Sequence, residues 1–278
     1  MTGKIKLSHS VAYIVLTIMA VVDIVPFIWM FLCSFKTRSE ILSFPPTFWP
    51  TEWRFQNYSD AWSAGGLNFT NMFINTMLIA IPATFFTVLS SSLAAYGFAR
   101  IKFRGREVIF IVFLISMMIP DAVTLIPTFL LFTTLGLINT LWSILLPQFF
   151  GFALQIFLIR QFFMTIPRDM EDAAVIDGCN RFKIYYKVFI PLSKPVITAA
   201  TIFTFQFAYN DFLKPLIFLN DTRKFTVQLG LATFRGMYRT QYDLLMAASF
   251  FTLLPILILY IFAQKYFVEG IVTTGIKG

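Results

Sequence analysis

"IPRDMEDAAVIDGCNRFKIYYKVFIPLSKP", Ile166 to Pro195, is a charged insert in a chain that is otherwise mostly apolar, and its reading decides the fold. On both sides of it lie runs long enough to cross a bilayer, whose hydrocarbon core of about 30 Å takes roughly 20 apolar residues per helix. Six such runs are legible, at 10–35, 71–99, 108–132, 138–162, 192–219 and 244–267. Of the 278 residues 58% are hydrophobic and 13% charged, and 35 are Phe, a balance that excludes an ordinary water-soluble domain. The short alternating strands of a membrane barrel are absent. The sequence therefore predicts an all-α polytopic bundle, one transmembrane domain over 1–278. Prolines inside the runs, at 26, 82, 120, 127, 147, 215 and 255, are expected as kinks whose freed carbonyls find partners on neighbouring helices.

Orientation follows the cations. With the N-terminus inside, fourteen of the 22 Lys and Arg fall on the inner side, seven on the outer, and Lys214 at a boundary, so both termini are expected in the cytoplasm. The loop "RIKFRGR", Arg100 to Arg106, weighs most and reads as a topology anchor on anionic membrane lipid. The net charge of +8 lies beside membrane segments and points to lipid rather than nucleic acid. "MTGKIKLSHS" leads into a full-length run with no small-residue cleavage site, so the first helix is expected to stay. Cys33 and Cys179 fall on opposite sides of the membrane, which excludes a bridge between them, and no metal cluster is legible.

Catalysis has little to work with. The one histidine is His9, and GxxxxGK[ST], HExxH, GxSxG and CxxC are all absent. The chain reads as a non-enzyme with no metal or cofactor of its own; uphill transport would draw on a partner or an ion gradient.

The insert itself reads as helix, turn, helix. Thr165 is a candidate cap, Pro167 suits a first turn, Asp169, Glu171 and Asp172 favour the positive N-terminal end, and Gly178 suits a left-handed terminus, which predicts a helix of roughly eleven residues. Asn180 caps a second helix whose Phe182, Tyr185, Tyr186 and Phe189 form an apolar face, and Pro191 and Pro195 mark the return to the bilayer. Met170, Ala173, Ala174 and Ile176 suit a helix docked in a partner's groove. From the residues alone, a helix lying on the membrane and one packed on its own bundle stay open beside it.

"EDAAVIDGCNRFKIYYKVFIPLSKP" resembles the EAA loop of ABC-importer permeases: Glu-Ala-Ala, three residues, Gly, and then hydrophobic-x-Pro-Leu. Ala173, Ala174, Asp177, Gly178, Pro191 and Leu192 match as they stand. Asp172 holds the position of the family's Glu, with Glu171 before it, and Cys179 stands where Ala is usual. "NTMLIAIPATFFTVLSSSLAAYGFARIKFRGR", "MMIPDAVTLIPTFLLFTTLGLINT", "FAYNDFLKPLIFL" and "YFVEGIVTTGIKG" extend the resemblance over nearly the whole chain, to the carbohydrate, maltose-type branch.

The resemblance implies an ABC type I importer permease fold in the inner membrane, forming half of a sugar translocation pathway. It also implies the partners: a second homologous permease subunit, an ATPase dimer that binds ATP and Mg, and an extracellular sugar-binding protein. Met170, Glu171, Asp172, Ala173, Ala174, Ile176, Asp177 and Gly178 would couple to the ATPase. The tail 269–278, ending in Gly275, Ile276, Lys277 and Gly278, would reach the ATPases, although by itself it reads as a frayed end.

Ionisable residues within the runs are the remaining candidates: Asp23, Asp121 and Asp211. Tyr209, Asn210 and Asp211 have the chemistry for sugar hydroxyls and ring stacking and are candidates to line the pathway, while Asp211 and Lys214, three apart, fit a structural pair equally. "FPPTFWPTEWRFQNY", 44–58, reads as an interfacial aromatic belt, and 220–243 resembles the external loop that meets the binding protein. Two alternatives remain: an ion-coupled secondary transporter, which would need no ATPase, and an ABC permease for a solute other than sugar.

Overall fold

A computed structural model describes the backbone of residues 2–63, 68–236 and 240–275, and side chains between 10 and 264 within those ranges. In chain order the helices are α1 (Thr2–Cys33), α2 (Arg38–Ile41), α3 (Gln56–Ser63), α4 (Phe69–Arg100), α5 (Arg106–Ser116), α6 (Asp121–Thr134), α7 (Trp142–Leu145) and α8 (Ala153–Thr165). They continue as α9 (Arg168–Ile176), α10 (Arg181–Ile184), α11 (Ile190–Leu192), α12 (Lys194–Tyr209), α13 (Leu213–Phe218), α14 (Val227–Thr233) and α15 (Tyr242–Gly275). Among the described residues extended pairing is limited to a single bridge, Arg235 to Thr240.

Four stretches are long and apolar enough to cross a membrane alone: 10–33, 69–100, 142–165 and 242–264. Two bent pairs raise the number to six if each is one span: α5 with α6, turned by 96°, and 181–192 with 194–218, turned by 83°. The expected kink at Pro120 is thus a full break. Pro120 has no N–H to give and pushes Ile119 out of helical geometry, and the 11 residues of α5 rise only about 16 Å, half a bilayer core. The run 192–219 is also divided, between Tyr209 and Leu213. Pro26, Pro82, Pro127 and Pro255 do lie inside helices, where long flanking turns hold their place.

The chain forms two compact units, 1–69 with 230–254, and 70–229 with 255–278. In the first, the most apolar 18-residue window of α1 has no buried residue. Order is concentrated after it. Asn57 donates to the carbonyls of Ser34 (2.9 Å) and Lys36 (2.8 Å), and the Phe35 ring packs among Phe31, Trp53, Phe55 and Tyr58. Lys36 is buried; its ammonium donates to the Thr47 carbonyl and lies 4.7 Å from the Trp29 ring centre, so its charge is met without a carboxylate. Of the expected aromatic belt, Phe44, Phe48, Trp49, Trp53 and Phe55 are all exposed, Trp53 and Phe55 each with one side against the Phe35 ring.

The second unit is built on α4. Lipid supplies no hydrophobic drive between helices, so small and hydroxylic residues that permit close approach and bond across carry the packing. Ala80 and Ala83 sit in a core cluster with Leu145, Ala208 and Tyr209; one turn and more along, Thr87 donates to the Gln148 carbonyl (2.6 Å) and Ser91 accepts from the Phe152 N–H (3.0 Å). Ser92 shares a 2.7 Å hydroxyl bond with Tyr185, and Ala95, Tyr96 and Phe98 close a larger cluster with Ile159, Phe163 and Phe189. At the other end of α4, Thr76 accepts from the Val227 N–H, Asn75 donates to the carbonyls of Arg223 and Phe225, and Asn139 accepts from the N–H groups of Asn220 and Asp221. The loop after Leu219 is therefore pinned over this part of its course.

Gly151 makes the closest of these approaches. A Cβ there would meet the Ser91 Cα at 3.2 Å and the Ile156 Cδ1 at 3.1 Å, and the first is backbone that cannot swing away; at Gly97 nothing lies within 4 Å. Gly151→Ala is expected to destabilise by about 1–3 kcal/mol and lower the melting temperature of the detergent-solubilised protein. Gly97→Ala should leave it unchanged or raise it, and a thermal-shift comparison of the two checks the assignment.

Candidate functional site

The insert is held to the bundle by the Ser92–Tyr185 hydroxyl bond, by a shared apolar cluster and by one buried guanidinium. Arg100, the last residue of α4, donates to the carbonyls of Phe163 (2.6 Å) and Ile166 at the C-terminal end of α8, the first of which also takes the Ile166 N–H at 3.3 Å. It also lies 3.9 Å from the Glu171 carboxylate on α9 and 4.9 Å from the centre of the Phe189 ring. Its side chain is only 5% exposed. One residue thus joins the ends of α4 and α8 to the insert. Expected as a lipid-facing anchor, Arg100 is instead a structural ligand; Lys102 and Arg104 in the same loop are exposed, as an anchor would be.

Arg160 repeats the device from α8. It is buried, lies 4.1 Å from the centre of the Phe110 ring, and reaches Glu107 on the first turn of α5 at 3.2 Å, a carboxylate that Arg106 also meets at 2.7 Å. Sequence reasoning counted Arg160 only as an inner cation. The signal was its place in the apolar run "IFLIRQFF", where an ionisable group needs a partner.

α9 spans nine residues, not eleven. Thr165 does not cap it: Thr165 is the last residue of α8, its hydroxyl donating back to the Phe162 carbonyl, and Pro167 holds the N-cap position instead. The C-terminal end is closed as expected. Gly178 has φ +76°, its N–H bonds to the Val175 carbonyl, and the Cys179 N–H reaches the Ala174 carbonyl (3.0 Å each), a Schellman arrangement that suits glycine. Asn180 then caps α10, accepting from the Lys183 N–H at 2.8 Å.

Helical phase gives α9 two faces. Glu171 and Ala174 turn inward, Glu171 to Arg100 and Ala174 into the cluster of Phe163, Ile184 and Phe189. Met170, Asp172, Ala173, Val175, Ile176, Asp177 and Gly178 are exposed. The pair of alanines therefore splits: Ala173 is exposed, and Ala174 is the contact that lets α9 lie close on its own bundle. Val175 joins the outward set without having been singled out from sequence. In the second helix Tyr185 and Phe189, four apart, are buried, while Phe182 and Tyr186, also four apart, are exposed, so the expected apolar face divides into an inner and an outer row; a π-helical turn spans Tyr185–Phe189.

The pathway candidates separate as well. Tyr209 is 1% exposed, stacked on Phe205 and packed among Ala80, Ala83 and Leu145, so it is a core residue of its own subunit and presents no ring to a cargo. Asn210 is exposed and accepts from the Gln228 amide at 3.0 Å. Asp211 accepts from the Lys214 N–H at 3.3 Å with the Lys214 ammonium 4.0 Å away, the structural pair expected as one of two readings. Asn210, Asp211, Lys214 and Gln228 thus form a polar group at the break between α12 and α13. Asp23 and Asp121 are exposed on α1 and α6. α15 continues past Glu269 to Gly275, so the expected tail is the end of a helix up to that residue; Ile276, Lys277 and Gly278 lie outside the described residues.

Comparison with known proteins follows this geometry. The family of binding-protein-dependent transport system inner membrane components matches residues 87–272. The arabinooligosaccharides transport system permease protein of Bacillus subtilis is 35% identical over 255 residues, covering 91% of this chain and 90% of its own. The diacetylchitobiose uptake system permease protein of Streptomyces coelicolor is 32% identical over 270 residues, 96% of this chain and 88% of its own. In structure, a chain of a bacterial ABC transporter involved in the import of the acidic polysaccharide alginate superposes with a TM-score of 0.78 at 24% identity, covering 94% of this chain and 97% of that one.

The division of labour between Arg100 and Glu171 is measurable. Arg100→Gln takes the charged donor from two carbonyls at the end of α8 and from the Glu171 carboxylate and should cost roughly 2–4 kcal/mol. Glu171→Gln keeps an oxygen in the same place and gives up only the charge of a single 3.9 Å contact, so it should cost less than Arg100→Gln. Thermal unfolding of the two variants in the same detergent checks the order, and a larger loss for Glu171→Gln would contradict it.

Proposed function

The chain belongs to the family of binding-protein-dependent transport system inner membrane components, and from that premise we propose that it imports carbohydrate, coupling to its ATPase through the outward face of α9. It is a multi-pass permease subunit of an ABC importer, a transport component and not an enzyme, and works with an ATPase and a substrate-binding protein. The cargo class rests on relatives whose names carry arabinooligosaccharides and diacetylchitobiose. In the proposed assembly a second, homologous permease completes the pathway, and ATP with Mg is bound by the partner ATPase. Both termini and the insert face the cytoplasm.

The observation that carries the coupling role is the two-faced α9. A helix that transmits motion must grip its own bundle on one side and a partner on the other. Ala174 and the Glu171–Arg100 pair supply the grip. Asp172, Ala173 and Ile176 supply an exposed surface that is small at its centre, charged at one edge and apolar at the other. Closure of the ATPase dimer would move α9 with the ends of α4 and α8 as one body, because Arg100 bonds to all three elements, and so switch the bundle between two arrangements. At the break between α12 and α13, Asn210 and Gln228 are the groups with the chemistry to meet sugar hydroxyls. A broken span is where membrane transporters place such groups.

Affinity capture of the tagged chain from its native membrane, followed by mass spectrometry, is the first test. Recovery of an ATPase and a second permease is expected. Recovery of the chain alone, under conditions in which a known importer stays intact, would sink the heteromeric assembly and favour an ion-coupled carrier. Ala173→Glu is then expected to abolish sugar uptake and stimulated ATP hydrolysis together while membrane insertion persists. Gly178→Val, which forces a β-branched residue to φ +76°, should do the same at a folding cost of about 1–2 kcal/mol. Uptake that survives Ala173→Glu would remove the outward face of α9 from the coupling path.

A further inference from the structure

A second feature lies at the same end of the bundle, beside the start of α9. Where α5 begins, a groove of about 500 Å³ opens between the loop after α4 and the first residue of α9, lined among others by Lys102, Phe103, Arg106, Glu107, Val108 and Arg168. Its charge is unbalanced. The one carboxylate, Glu107, is engaged by both Arg106 (2.7 Å) and Arg160 (3.2 Å). Lys102 and Arg168 are exposed and make no ion pair among the described residues. The first-turn N–H groups of the 11-residue α5 add to the positive field.

Depth decides what such a groove would hold. α4, an apolar span, ends at Arg100, and α5, the first half of the next apolar pair, starts at Arg106. The groove therefore lies where apolar helices meet water, at the level of lipid headgroups. Directly beside it α5 exposes Val108, Val112 and Ile115, one stripe at i, i+4 and i+7 that suits acyl chains.

We propose that this groove seats the phosphodiester of an anionic phospholipid, held by Lys102 and Arg168, with its acyl chains along Val108, Val112 and Ile115. The inference rests on the inner-membrane reading above and not on the cargo. Because Arg168 is the first residue of α9, a seated headgroup would tie the start of the coupling helix to the loop after α4, making the coupling element responsive to the lipid around it.

Native mass spectrometry of the affinity-captured assembly, supplied with phosphatidylglycerol or phosphatidylcholine, tests this. The wild type is expected to retain phosphatidylglycerol in preference. Each cation near an anionic headgroup contributes about fivefold, so Lys102→Gln should weaken that retention about fivefold and the double variant with Arg168→Gln about twenty-five-fold. Lys183→Gln with Lys187→Gln, which removes the same charge from exposed positions outside the groove, should leave retention intact. Equal loss in both double variants, or no loss in the first, would overturn the site. Displacement of the lipid by millimolar inorganic phosphate would overturn the lipid in favour of a free anion. Loss of the ATPase from the Lys102, Arg168 variant with lipid retention unchanged would assign the groove to a protein contact. Absence of an ATPase from the wild-type assembly would instead count against the importer reading and leaves the lipid measurement standing on its own.

Discussion

Arg100 is the point on which the working end of this subunit depends. A guanidinium has five donors in a rigid plane and stays charged, so it can serve several acceptors at once where a lysine would serve them in turn. Here it bonds to two carbonyls at the C-terminal end of α8, faces Glu171 on α9 and lies over Phe189, the last residue of the π-helical turn. A charge so enclosed is tolerable only because carbonyl dipoles, a carboxylate and a ring meet it from different sides. The enclosure is also what makes it a joint: displacing α9 alone would draw Glu171 away from the guanidinium and Ala174 out of its cluster, so the low-energy motion carries α4, α8 and α9 together.

Elsewhere the bilayer as solvent explains the architecture. Helices that gain nothing by leaving lipid for one another associate through close approach and specific bonds. α4 supplies both, with Ala80 and Ala83 at one level and Thr87, Ser91 and Ser92 at the next, each hydroxyl reaching a group on another element. The two broken spans obey the same rule from the opposite side. Backbone freed at Pro120 and around Asn210 must be met by polar groups or water, which is why Asp121 and the group of Asn210, Asp211 and Lys214 lie at the breaks and not along the intact helices.

How much of this was legible in the sequence depended on the range of the signal. Apolar runs, the left-handed Gly178 and the Asn180 cap are local chemistry, and they appear where the residues put them. The phase of the small residues in α9 is not local: nothing in "DAAV" says which alanine faces the bundle until Glu171 is known to meet Arg100, 71 positions away. Thr165 misled because a capping residue and the last residue of a preceding helix look alike when the two helices are only two residues apart. Tyr209 misled because an aromatic beside Asn and Asp suits a sugar site, while its ring is turned into the α4 face by the helical course of α12, which ends only one residue before Asn210.

The two acids of the insert show what the family pattern does not separate. Asp172 occupies the position of the family's Glu and points outward, and Glu171, one position earlier, points inward to Arg100. Adjacent helical residues diverge by about 100°, so the two carboxylates cannot exchange roles without rotating α9 and pulling Ala174 out of its cluster. The longer side chain is needed inside, where Glu171 spans the gap to a guanidinium already fixed by two carbonyls. Outside, a shorter Asp172 beside Ala173 brings any partner surface nearer to the helix axis. In the proposed coupling, a helix held on one face at a fixed distance and approached closely on the other would transmit displacement with little slack, and that property, more than the charge of either acid, is what "EDAA" would supply.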